Sequence, residues 1–187
     1  MSALRTTWSV TDYRRALRFA ADAHGRTGVC IQDSSLPYVV HVVEVAAEVI
    51  ASLAVEPVAD PTLAVVCALL HDTLEDTDVT DDALRDAFGD AVARGVRALS
   101  KDASLAKSQQ MSDSLDRILA CPPEIARVKL ADRIVNLSPP PSAWSTDKIR
   151  AYQSQARDIA ARLRDASPLL YARLSEKIEA YEPFCER

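Results

Sequence analysis

The chain has 187 residues, 48% of them hydrophobic and only four of them glycine, which is enough for one good-sized core and points to a single domain over residues 1–187. Its 27 acidic residues against 22 lysines and arginines give a net charge of −5, which argues against a binder of nucleic-acid polymers but allows a small anionic ligand held by local cations. No apolar run is long enough to cross a bilayer, Met1 to Val10 carries no signal-like apolar segment, and Cys30, Cys67, Cys121 and Cys185 form no C-x-x-C pair, so a soluble cytoplasmic protein without disulfides is expected.

The hydrophobic period is helical nearly everywhere. Thr11 reads as the cap of a helix that ends near His24-Gly25, followed by an irregular segment to Pro37. Val42, Val45, Ala46, Val49, Ile50 and Leu53 recur at three and four, predicting an amphipathic helix over 38–54 with His41 on or beside its buried stripe. Asp60-Pro61 is a capping aspartate before a proline whose missing N–H costs nothing there. The helix it starts is apolar all round from Leu63 to Leu70, the mark of a central helix, and is expected to continue to about Asp76. Shorter helices follow from Thr80 or Asp81 to Phe88 and on to Ser100. Lys101 to Gln110 reads first as loop, leading into a helix through Leu115 and Ile118 that stops before Pro122. A largely apolar helix over 124–137 ends at three prolines, and two amphipathic helices, about 146–165 and 168–181, complete an all-α chain with no repeat and no dividing linker.

The chemistry concentrates in Leu70-His71-Asp72-Thr73-Leu74-Glu75-Asp76. On a continuous helix His71 stands above Glu75 and Asp72 above Asp76, two adjacent columns on one side. Three carboxylates beside an imidazole at the end of an apolar run are costly unless a cation offsets their repulsion and desolvation, or the helix end is solvated. In Val128 to Leu137, Asp132 and Asn136 form a polar column beside the core stripe of Leu130, Ile134 and Leu137. Taken alone, Asp132 fits an ion pair with Lys129 or Arg133, and His41 or His24 alone fits an ordinary core histidine. Together, His41, His71, Asp72 and Asp132 would offer two imidazoles and two carboxylates from three helices. Such a mixed set suits Mn²⁺, Fe²⁺ or Zn²⁺ rather than a closed structural zinc site.

A histidine after Pro-Tyr, then Ala-Leu-Leu-His-Asp-Thr-Leu-Glu-Asp-Thr, Phe-Gly and Val-Lys-Leu-Ala-Asp-Arg-Ile-Val-Asn-Leu, resembles the HD superfamily, and within it the hydrolase domain of the RelA/SpoT family and its small stand-alone members. The resemblance runs from about Tyr13 to Leu163. It implies an HD-type helical bundle around a buried Mn²⁺ site and hydrolytic removal of 3′-pyrophosphate from guanosine tetra- or pentaphosphate. It also implies His41, His71, Asp72 and Asp132 as metal ligands, Glu75 and Asp76 as the pair that positions and deprotonates the attacking water, and Asn136 as a substrate contact. Lys148 and Tyr152 resemble a phosphate- and nucleotide-contacting pair, and Lys107, Lys129 and Arg133 are further cations for the phosphates.

The chain departs from that pattern before Pro37, where the family's Arg-Lys element is replaced by His24-Gly25-Arg26-Thr27-Gly28, leaving a displaced Arg26 as the candidate base contact. Three readings follow: a guanosine-tetraphosphate hydrolase, the same chemistry on another nucleotide or small phosphate ester, and a non-catalytic nucleotide sensor. Retention of Glu75 and Asp76 weighs against the sensor. The assembly is left open, a homodimer included.

Overall fold

The computed structural model describes residues 7–186, so most of the Met1 to Val10 reading lies outside it. Among the described residues every named element is helical: α1 Val10–Thr27, α2 Val39–Leu53, α3 Pro61–Leu70, α4 Thr73–Asp76, α5 Asp81–Phe88, α6 Asp90–Leu99, α7 Lys107–Leu119, α8 Pro123–Asn136, α9 Thr146–Leu163, a 3₁₀ turn Arg164–Ala166, α10 Pro168–Ala180 and α11 Glu182–Cys185. A single β-bridge pairs Cys30 with Pro37 across the irregular segment. No described helix is long and apolar enough to cross a membrane.

Helix α3 is the axis of the bundle, and its composition explains why. Every residue from Leu63 to Leu70 is apolar, none is exposed, and α1, α2, α6 and α8 close around it. Its start is capped as expected, Asp60 accepting from the Leu63 N–H at 2.9 Å with Pro61 in the first turn. Helix α8 is nearly as deep but carries charge into the core, and each charge is answered. The Asp60 N–H donates to Glu124, Arg127 donates to the Glu56 and Ala166 carbonyls, and Lys129 pairs with Asp132 at 2.9 Å.

Three boundaries differ from expectation. Helix α1 is capped by Ser9, not Thr11, and runs through Gly25 to Gly28, which takes a left-handed φ of 66° and so ends the helix without a Cβ penalty. Helix α7 begins at Lys107, well inside the segment expected to be loop, and α11 continues the fold beyond the last expected helix.

A further difference matters most, because the helix expected to run to Asp76 breaks at His71-Asp72. His71 Nδ1 donates to the Ala68 carbonyl at 2.8 Å and Thr73 Oγ1 to the Leu70 carbonyl at 2.7 Å, so side chains serve carbonyls in the last turn. The chain then restarts as the single turn α4, with the Asp72 carbonyl accepting from the Glu75 and Asp76 N–H groups. The break separates His71 from Glu75, while Asp72 and Asp76 stay one helical turn apart.

Close packing between α6, α3 and α8 depends on Gly95, where an added Cβ would stand 2.6 Å from Ile125 Cδ1 and 2.9 Å from Cys67 Sγ. Both neighbours are fully buried. Gly95→Ala is therefore expected to destabilise the fold by about 1–3 kcal/mol through overpacking, read as a lowered midpoint in urea denaturation at unchanged slope.

Candidate metal centre

Three helices deliver the cluster. His41 comes from the first turn of α2, His71 and Asp72 from the break between α3 and α4, and Asp132 from the buried side of α8. His41, His71 and Asp132 each place one donor atom within 4.8 Å of the others, and all three are buried. Asp72 closes the group from the fourth side, its Oδ2 lying 3.5 Å from His41 Nε2 and 3.0 Å from His71 Nε2.

The donor atoms are set up for a cation. Because a carbonyl can only accept, the His71 Nδ1 contact with Ala68 puts the proton on Nδ1 and turns the lone pair of Nε2 toward the carboxylates. Nε2 of His41 and of His71 are both buried and have no hydrogen-bond partner among the described residues. Two orphaned imidazole nitrogens facing two carboxylates have the chemistry of a divalent-cation site with nitrogen and oxygen donors. Burial opposes charge on both histidines, yet Asp132 and Asp72 outweigh it and raise both imidazoles. Burial likewise opposes the Asp132 and Asp72 charges, but Lys129 and the histidines hold Asp132, and the histidines hold Asp72, well below the usual range. The oxygens are anionic at neutral pH, and the cluster attracts positive charge.

Around this cluster stand the other site residues. Tyr38 donates its hydroxyl to Asp72 Oδ2 at 2.5 Å, its ring lying between those of His24 and His41. Asp76 is raised by burial and by the negative charges of Asp72 and Glu75. Glu75 is gripped at both oxygens by Lys101, from the backbone N–H at 2.6 Å and the ammonium at 3.0 Å. Asn136 donates to Asp132 one turn back on α8.

A cleft of about 310 Å³ opens beside the cluster. Its wall includes Gln32, His41, Asn136, Trp144 and Tyr152. The Trp144 and Tyr152 rings meet edge to face at 5.1 Å, and Lys148 lays its ammonium 4.2 Å over the Trp144 ring.

Other residues picked out in the sequence lie elsewhere. Arg26 is ion-paired with Asp22 and with Asp78 and does not line the cleft. Lys107 is exposed at the start of α7 and does not line it either. Lys129 is committed to Asp132, and Arg133 stacks 4.2 Å from the Tyr152 ring centre while donating to Gln155. Two groups escaped notice in the sequence. Tyr38 was visible only as half of a Pro-Tyr pair, and Lys101 had no signal beyond a polar segment.

An all-helical bundle holding a buried His-His-Asp cluster at the break of its central helix defines a class of metal-binding hydrolase folds. The HD domain family profile matches residues 16–176, and the chain belongs to that family. In structure it is similar to a metazoan ortholog of SpoT that hydrolyzes ppGpp and plays a role in starvation responses, at a TM-score of 0.80 and 26% identity over 93% of this chain and 97% of that one. It is also similar in fold to lmo0812 from Listeria monocytogenes EGD-e, at a TM-score of 0.59 and 24% identity over 76% of this chain and 97% of that one. No curated protein sequence matches the chain.

Proposed function

We propose that this chain is a metal-dependent phosphohydrolase that removes pyrophosphate from the 3′ position of guanosine tetra- or pentaphosphate. One observation carries the reading: two buried, unpartnered histidine nitrogens converge with the Asp132 carboxylate within 4.8 Å, beside a cleft with an aromatic wall. Likeness to the metazoan ppGpp hydrolase across nearly the whole chain supports the choice of substrate.

His41, His71, Asp72 and Asp132 would hold Mn²⁺, with Fe²⁺ and Zn²⁺ suited to the same donors. The chemistry such a cation supplies is a water of lowered pKa and the withdrawal of charge from phosphoryl oxygens. The protein does the rest. Asp76 accepts the proton of the attacking water, because its carboxyl is raised toward neutrality while Glu75 is held by Lys101 and orients. Asn136 and Tyr152 line the path of the substrate, and Lys148 meets phosphate charge at the aromatic wall. A small cytoplasmic nucleotide rather than a polymer accords with the net charge of −5.

A second reading is favoured by the placement of Arg26, which is tied to Asp22 and Asp78 and leaves Ile31 and Gln32 as the contacts of the 28–37 segment with the cleft. Under it the same chemistry acts on another nucleotide or small phosphate ester. The deciding assay incubates the purified protein and Mn²⁺ with a nucleotide panel that includes guanosine tetraphosphate, and identifies the phosphate or pyrophosphate released. Pyrophosphate from guanosine tetraphosphate is expected. Turnover of other nucleotides without it moves the second reading to first, and release that survives a chelator sinks the metal mechanism.

A further inference from the structure

Tyr38 belongs to no group of ligands or proton acceptors, yet it touches more of the centre than its place ahead of α2 suggests. Its hydroxyl reaches across 34 residues to Asp72 Oδ2 at 2.5 Å. Its ring is held on two sides, 4.9 Å from the His24 ring and 5.2 Å from the His41 ring between centroids. His24 is itself buried, and burial pushes its imidazole down, favouring an uncharged ring against Tyr38.

The geometry points to Tyr38 as a positioning residue of the centre, one that fixes the Asp72 carboxylate for the cation. This rests on the metal-dependent reading above. A carboxylate in the first turn after a helix break has free rotation about its side-chain bonds, and α4 is a single turn that cannot stiffen it. The hydroxyl removes that freedom by engaging Oδ2, the oxygen that also faces both histidines.

Tyr38→Phe tests this, since it keeps the ring between His24 and His41 and removes only the hydroxyl. Calorimetric titration with Mn²⁺ alone is expected to show affinity lowered about 10- to 100-fold, the range typical of lost outer-shell contacts to a ligand, with the thermal midpoint nearly unchanged. In the nucleotide assay kcat is expected to fall while KM stays within about twofold, the pattern of an interaction that does not bind the substrate. Raising Mn²⁺ to saturation is expected to restore most of kcat. Wild-type affinity for Mn²⁺ in Tyr38→Phe overturns the role of Tyr38 alone. Wild-type protein that binds no divalent cation overturns the metal reading and this role with it.

Discussion

Asp132→Asn is expected to lose divalent-cation binding and about 10³-fold in phosphohydrolase rate, because several kcal/mol of charge stabilisation at 1.36 kcal/mol per decade leaves with the cation. The choice of asparagine matters. Asp132 has a second, structural role as the partner of Lys129, whose ammonium is buried 2.9 Å away. Alanine would strand that ammonium without a counter-charge, a loss of about 3–5 kcal/mol for a broken buried pair, and an inactive protein would then report only unfolding. Asparagine also removes the counter-charge, but it keeps the volume and one acceptor oxygen for the ammonium, which lessens the loss. The measurements are Mn²⁺ titration by calorimetry and the thermal midpoint beside the rate. A folded Asp132→Asn protein with wild-type Mn²⁺ affinity would remove Asp132 from the centre.

Asp76→Asn is expected to act on rate without acting on the metal. Losing the proton acceptor should lower kcat by about 10²–10⁴-fold, while Mn²⁺ affinity stays near wild type because Asp76 is not among the converging donors. The pH profile gives the sign. Burial and the charges of Asp72 and Glu75 raise the Asp76 carboxyl, and only its deprotonated form can accept a proton. Wild-type kcat is therefore expected to fall as pH drops through a pKa above the usual carboxylate range. In Asp76→Asn that limb should be gone. A limb that persists unchanged assigns the base to another group. Glu75→Gln is the companion measurement, expected to weaken the hold of Lys101 and cost less than Asp76→Asn.

Much of this centre was legible before any fold was known. His71 and Asp72 stand out because polar groups follow eight apolar residues, and the capping of α3 by Asp60 follows from its place before Pro61. The convergence of His41 and Asp132 upon them was an expectation from resemblance, and the structure brings their donor atoms together. What misled was the assumption of an unbroken helix through Asp76. Periodicity reports which residues face the core, but not that His71 and Thr73 side chains will take carbonyls in the last turn. Arg26 was placed by its nearness to the Pro-Tyr pair. The extension of α1 to Gly28 sets it instead on a helix, where Asp22 is one turn back and Asp78 is within reach.

The helical class, most helix limits and the presence of metal-type donors are written in local sequence, because periodicity, caps and breakers act over a few neighbouring residues. That Tyr38 holds Asp72 from 34 residues away and that Lys101 grips Glu75 from 26 came from packing between distant segments. Those pairings depend on which helices meet and at what depth, and burial then decides which charges must find each other. The opening loss of cation binding in Asp132→Asn tests the part set by the donors. The behaviour of Tyr38→Phe tests the part that packing alone arranged.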